Sequence, residues 1–583
     1  MTSPLLLCAS LRAASLACLC LCLAAPHALA QPNPSAPDPL IEQLRQQERE
    51  RALREQQERT VDTRLQDKPP AETRRLPEGE TPCFRIDRIV LEGERAQAFQ
   101  WSVEAAAGAG DDSPLGRCLG TEGVNIVLAR MQQAVIARGY VTTRVLAGAQ
   151  DLTTGTLTLT LVPGRIAAIR AADGSAPAGL RSAIPARPGD LLNIRDVEQG
   201  LENLKRAPTA EADIRIEPSG AADARPGDSD LVVQYSQSRR LRLRGTLSLD
   251  DSGTRATGRH QGGITLSGDN LLGLNDLFYL SANHSVSARH LLSRRERATE
   301  GQTLHYSLPR GDWLLGFTAS NNRYRQSVAG LSQDYVYAGK SNNAQLQLSR
   351  LVWRDQHRKT TASLRAWRRE SRNFIDDTEI EVQHRVTGGW ELGMNHREFI
   401  GAATLDANLA YRRGTGGFGA IPAPEEAFGE GTSRLALASA DVALNLPFQL
   451  GGQKLRYAGL WRAQWNRTPL TLQDRFAIGG RYTVRGFDGE SSLMGERGWL
   501  LRNDIGWALG GSGAELYAGL DHGHVDGPSV RQLLGNHLAG GVLGVRGAVR
   551  GLSYDVFVGA PIRRPEGFRT ARVTAGFNLN YSF

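Results

Sequence analysis

Cysteine is scarce in this chain. Six occur in 583 residues, and Cys8, Cys18, Cys20 and Cys22 crowd the amino end, so only Cys83 and Cys118 lie beyond it. Long apolar runs are missing too. After the first thirty residues none reaches about 18, the length a membrane-crossing helix needs, which excludes a helical membrane protein. Aromatics make up 6% of the residues. The net charge is +8, yet arginine alternates with aspartate and glutamate instead of forming a basic block, which argues against nucleic acid. The residues of common catalysts are also absent. There is no Gly-x-Ser-x-Gly elbow and no His-Glu-x-x-His. The glycine-rich stretch Arg412–Ala420 lacks the lysine of a phosphate loop and reads as a turn. His522 and His524 have no partners at ligand spacing, so we expect no metal, no cofactor and no enzyme activity.

At the amino end Arg12 precedes the apolar run Ala13–Ala25, and Ala28-Leu29-Ala30 offers small residues where a signal peptidase reads. Residues 1–30 are therefore expected to be a Sec-type signal peptide cut before Gln31. In an exported chain the remaining pair, Cys83 and Cys118, is expected to form one disulfide; two free buried thiols are the other state open to such a pair. Residues 31–61 contain a Pro-rich leash. Asp38-Pro39 then starts a helix rich in Gln, Glu and Arg, with Leu40, Ile41, Leu44 and Leu53 its few large apolar side chains. Such a helix suits a polar groove or a water-filled channel; a solvated tether reads equally well. Residues 62–81 are expected to be a linker.

Residues 82–163 read as a small β-α-α-β-β domain. Its second helix is expected to be capped by Thr121 and to bury Val124, Leu128, Met131, Val135 and Ile136. The same order recurs in residues 164–238, with Asn193 capping a helix that carries Val197, Leu201 and Leu204.

From residue 239 to 583 no long helix is expected. Leucines alternate with polar residues from Leu241 to Asp250, and aromatics such as Trp313, Trp353, Trp367, Trp465 and Trp507 recur near strand ends. In the last strand Val573, Ala575, Phe577, Leu579, Tyr581 and Phe583 alternate with small or polar residues. Dyad-repeat strands in an exported chain point to a transmembrane β-barrel of roughly 16 antiparallel strands, closed because lipid offers no partner to an open edge. Phe577, Tyr581 and Phe583 are its candidate carboxyl-terminal barrel signal.

One late segment stands out. Val484-Arg485-Gly486-Phe487 follows Phe476 and Gly479-Gly480, and Asp521-x-Gly523 comes about 35 residues later. With the helix, the two small domains and the barrel, these residues resemble the outer-membrane transporters of two-partner secretion. This is the TpsB family of haemolysin activators and filamentous-haemagglutinin transporters, within the Omp85 superfamily. The resemblance implies that the helix plugs the barrel and that the two domains are periplasmic POTRA domains. It also implies that the loop folds into the lumen, where Arg485 pairs with Asp521 on the wall. The partner would be a large secreted TpsA-like exoprotein bound by the POTRA domains, with outer-membrane lipid around the barrel and the barrel-assembly machinery inserting it. A barrel-assembly insertase or a passive porin are the alternatives; twin POTRA domains and a leading helix favour secretion over both.

Overall fold

The computed structural model describes residues 39–58, 61–65, 74–108, 112–172, 178–237, 242–286 and 297–583. The signal peptide, the leash, the Asp38 cap and Leu241 lie outside the described residues.

Among the described residues a helix, Pro39–Gln57, comes first. The first mixed domain follows. Strands Arg88–Gly93 and Thr156–Val162 pair in parallel, and Arg144–Leu146 adds an antiparallel edge. The helix Thr121–Ala137 covers the sheet but is rotated from the expected face. It buries Ile126, Val127, Met131 and Val135, while Val124 and Leu128 sit at the margin of the core. The reason is Arg130. Its guanidinium turns inward to the carboxylate of Asp112 and to the carbonyls of Asp112 and Ala106, so a charged residue occupies the core face. Thr121 is not the cap either. The Glu80 carboxylate accepts from the amides of Gly120 (2.7 Å) and Glu122 (2.9 Å), placing a full negative charge at the positive end of the helix. Cys83 and Cys118 are joined by a disulfide across the short strands Phe84–Arg85 and Cys118–Leu119.

The second domain repeats the order. Arg165–Ala171 and Asp228–Gln237 are parallel, and Ala210–Pro218 completes the sheet. The helix Ile194–Leu204 is capped by Asn193, whose side chain accepts from the Arg195 amide, and it buries Val197, Leu201 and Leu204. The same helix start is bonded to the first domain: the Ile194 amide donates to the Gly139 carbonyl (2.8 Å) and Asn193 donates to the Arg138 carbonyl (3.2 Å). Arg165 and Glu94 form an ion pair across the same joint.

Sixteen antiparallel strands, from Leu243–Asp250 to Thr574–Ser582, close into a barrel; the two-residue Thr378–Glu379 is an added rung. The described residues from 242 on contain no α-helix. The barrel is inside-out relative to a soluble core. Along one strand Thr303, His305 and Ser307 are buried while Leu304 is exposed, and Ile264, Leu346, Leu392 and Leu520 likewise face outward. This is the alternation that lipid outside and a polar interior require. Trp313, Trp353, Trp465 and Trp507 are exposed near strand ends, but Trp367 is not part of that belt. It faces the lumen beside Arg412 and is buried with Leu435, Leu437 and Leu470. Val573 lies just before the last strand and is exposed. Phe583 and Gly245 exchange backbone hydrogen bonds (3.0 Å each), so the closing ladder reaches the last residue.

Candidate functional site: the folded-in loop and the barrel wall

The strands Gln453–Asn466 and Arg497–Ala508 are joined by a long loop. Its two arms form a small ladder, Phe476–Ile478 against Leu493–Gly495. Phe476, Ile478, Val484 and Phe487 are buried there with Leu500, Val525 and Leu538 of the barrel wall. An apolar cluster on the lumen side of a barrel has no lipid to face, so burying it holds the loop against the wall.

Gly479 and Gly480 open the turn into the tip. Gly479 has φ +108°, a conformation that other residues rarely adopt. The Gly480 amide donates to the Thr483 hydroxyl (3.0 Å), and the Thr483 amide returns to the Gly480 carbonyl (3.0 Å). Gly486, at φ +92°, turns the chain again within a slot too narrow for a side chain. A Cβ on Gly486 would lie 2.5 Å from the Ala560 carbonyl oxygen. The adjoining strands of the same wall are equally tight: a Cβ on Gly540 would lie 1.9 Å from the Arg485 carbonyl oxygen, and one on Gly523 would lie 2.7 Å from Val484. Phe487 packs edge-on against Phe568, with centroids 5.9 Å apart.

Arg485 ends in this slot with 4% of its surface exposed. Its Nε donates to Asp521 Oδ2 (2.7 Å), its Nη2 to Asp521 Oδ1 (2.8 Å) and its backbone amide to Asp521 Oδ2 (2.9 Å). The guanidinium also binds Asp504, on the neighbouring strand. Asp504 in turn binds Arg546 (3.1 Å), Glu515 binds both Arg546 and Arg456, and Arg502 lies 3.8 Å from Asp521. Four arginines and three carboxylates thus form one network. A planar five-donor fork divided between two carboxylates fixes the loop in position and orientation, which an ammonium would not do.

Sequence reasoning missed Asp504, an isolated acid in an ordinary strand. The available signal was the row Gly519-x-Asp521-x-Gly523, small-acid-small on one face. A Cβ at Gly519 would lie 2.5 Å from Asp504 Oδ1 and 2.8 Å from Arg485 Nη2, so the glycine leaves space for both charges. His522 points to the other face, beside Trp499 and His537, and not into the site with Asp521.

The loop also reaches other parts of the lumen. Arg481 pairs with Asp251, whose carboxylate accepts from the Phe577 amide of the last strand (2.9 Å). Arg45 of the amino-terminal helix donates to the Gly489 carbonyl. That helix carries few apolar side chains, and several of its polar groups find partners on the wall. Glu48 pairs with Arg462 (3.0 Å) and Arg51 with Asp441 (2.8 Å). Glu42 accepts from Thr257 (3.0 Å), and Gln57 from Ser267 (3.1 Å). Beside it lies a cavity of about 580 Å³ bounded by Arg54, Arg365, Arg369 and Arg412.

Residues 227–547 match the family described as haemolysin secretion/activation protein ShlB/FhaC/HecB. Residues 84–164 match the ShlB-type POTRA domain, and residues 165–218 match a further POTRA domain. The chain is 38% identical over 518 residues to outer membrane transporter CdiB-2 of Burkholderia pseudomallei, an alignment covering 86% of this chain and 87% of the relative. It is 30% identical to the Dickeya dadantii outer membrane transporter CdiB, over 86% of this chain and 87% of that one. The solved structure of CdiB from Acinetobacter baumannii superposes with a TM-score of 0.81 at 32% identity, covering 93% of this chain and 99% of that chain. An inverted barrel, two POTRA domains and these likenesses together place the chain in the ShlB/FhaC/HecB family, the outer-membrane transporters of two-partner secretion.

Proposed function

We propose that this transporter binds an unfolded, secreted TpsA-like exoprotein through its POTRA domains and passes it through the barrel lumen, which the helix Pro39–Gln57 stoppers at rest. The ion pairs Glu48–Arg462 and Arg51–Asp441 carry the stopper reading. They hold a helix with few apolar side chains against the polar inner wall, where water can replace these charged contacts. A stopper held this way leaves with little apolar surface to expose. The working division is a helix in residues 31–61, a linker in 62–81, POTRA domains in 82–163 and 164–238, and the barrel in 239–583.

In this reading the Val484–Phe487 tip, Arg485 above all, is the fixed element of the machine, with Asp521 and Gly523 as its wall partners. The loop supports the lumen while the stopper leaves. Phe577, Tyr581 and Phe583 serve as the signature read by the barrel-assembly machinery; Tyr581 and Phe583 face outward with rings 6.0 Å apart. Outer-membrane lipid covers the leucine-rich exterior.

Planar-bilayer conductance tests this function. The full chain should be mostly closed, and a variant lacking residues 31–60 should give a large, steady pore. Equal conductance from the two proteins would remove the stopper role.

A further inference from the structure

We propose that the linker segment Asp62–Leu65 occupies a peptide-binding groove between the second POTRA domain and the barrel, and that an extended client segment takes its place to release the helix. The proposal rests on the stopper reading above and supplies its trigger.

The groove reads main chain. The helix Ile194–Leu204 presents two carboxylates, Glu198 and Glu202, one turn apart. Glu202 Oε1 accepts from the Thr63 amide (3.1 Å), and Glu198 Oε1 accepts from the Leu65 amide (2.8 Å). Residues four apart on a helix rise about 6 Å. Alternate amides of an extended chain point the same way about 6.6 Å apart. The two spacings match, so the helix acts as an accepting edge for any extended segment running antiparallel to it.

The barrel forms the other wall. Arg354, at the end of a barrel strand, donates to the Thr63 carbonyl (2.6 Å) and binds Glu198 (3.0 Å), Glu202 (2.9 Å) and Gln199 (3.2 Å). Lys359 reaches Glu202 from the next strand. Burial pulls the Glu202 carboxyl upward, but Lys359 and Arg354 outweigh it and hold the group below the usual carboxylate range. Both carboxylates are thus paired from the barrel side and retain lone pairs for a peptide.

Three side chains complete the seat. Leu65 packs against the core of the second domain. The Arg64 guanidinium lies 4.0 Å from the Phe399 ring centroid, and Asp62 pairs with Arg397. The ligand class is therefore an extended polypeptide with one aliphatic side chain at the Leu65 position, recognised mainly through its backbone.

Competition is set by tethering. The linker is part of the chain and is present at an effective concentration of about millimolar. A free peptide competes poorly against that. A client already held elsewhere on the POTRA domains competes on equal terms, so a bound client exchanges with the linker whereas stray periplasmic chains do not. Only a few residues separate Asp62 from the end of the helix at Gln57, so freeing the linker frees the lower end of the stopper.

The test uses the full chain and a fluorescent synthetic peptide with the sequence of residues 61–67. The variant Leu65→Asp removes the linker's apolar anchor without altering the groove. It should bind the peptide about tenfold more tightly than the intact chain, because a larger fraction of its grooves is vacant. Adding Glu198→Gln to that variant should abolish the gain. In bilayers Leu65→Asp should open more often than the intact chain. Equal peptide affinity for the intact chain and Leu65→Asp overturns the groove, as does an open 31–60 deletion beside a Leu65→Asp variant unchanged in both readouts. A closed 31–60 deletion combined with tenfold tighter peptide binding keeps the groove and overturns the stopper instead.

Discussion

Arg485 binds Asp521 twice over, with its guanidinium and with its own backbone amide, both ending on Asp521 Oδ2. The side-chain pair fixes the direction of the arginine, and the amide fixes the height of the loop tip on the wall. Removing one partner strands the other charge in a buried slot, at a cost of about 3–5 kcal/mol.

Arg485→Ala and Asp521→Ala should therefore both reduce secretion of the partner exoprotein to background while the barrel still inserts. Arg485→Lys should fail nearly as badly, since an ammonium cannot serve Asp521 and Asp504 from one plane. Exoprotein in culture supernatant and heat-modifiable gel mobility separate the two effects. Wild-type secretion by Arg485→Lys would show that charge alone suffices.

The glycine slot gives a purely steric prediction. Gly540→Ala places a Cβ on the Arg485 carbonyl and should lift the loop out of its seat. Gly541→Ala meets nothing closer than 3.3 Å, at the tip of the Ile562 side chain, and should behave as wild type. Limited proteolysis between residues 476 and 495 reads the difference.

Asp196 predicts a pH dependence for docking of the second POTRA domain. Burial, with Asp312 and Asp190 adding to it and Arg354 opposing it, pushes its carboxyl up to about 6. The folded state therefore favours the protonated form. Its contribution to stability is fully present below the ordinary carboxylate value and is lost as pH rises through about 6. Asp196→Asn should melt higher than wild type at pH 7.5 and match it at pH 4. A parallel pH profile for the two proteins would remove Asp196 from the account.

Loss of the Cys83–Cys118 bridge should destabilise the first POTRA domain by roughly 3–4 kcal/mol, the loop-closure entropy of its 35-residue span. Urea unfolding of the Cys83→Ala/Cys118→Ala variant, followed by the Trp101 fluorescence, measures it.

The barrel was legible because lipid imposes one rule on every strand, and Leu304 between Thr303 and His305 obeys it as clearly as the last strand does. The first POTRA helix was read with the wrong face because Arg130 counts as polar in any pattern, yet its head is held by Asp112 inside the domain. Trp367 was assigned to the rim by its residue type, although the alternation that sends Leu364 outward turns Trp367, with Arg365 and Arg369, to the lumen. Asp504 depends on register: it faces Gly519 across the ladder, and register follows from the neighbouring strand, not from its own sequence. The Glu198–Glu202 pair carries no local signal, since its partners come from Thr63, Leu65 and Arg354, far away along the chain.

The helix Ile194–Leu204 is about 16 Å long and rigid over that length. Its first residue is bonded to the Gly139 carbonyl of the first POTRA domain, and Glu202, near its other end, to the barrel. It is a lever with both ends loaded. A displacement of the first domain is therefore transmitted along the helix to Glu198 and Glu202, where Arg354 and Lys359 hold the barrel.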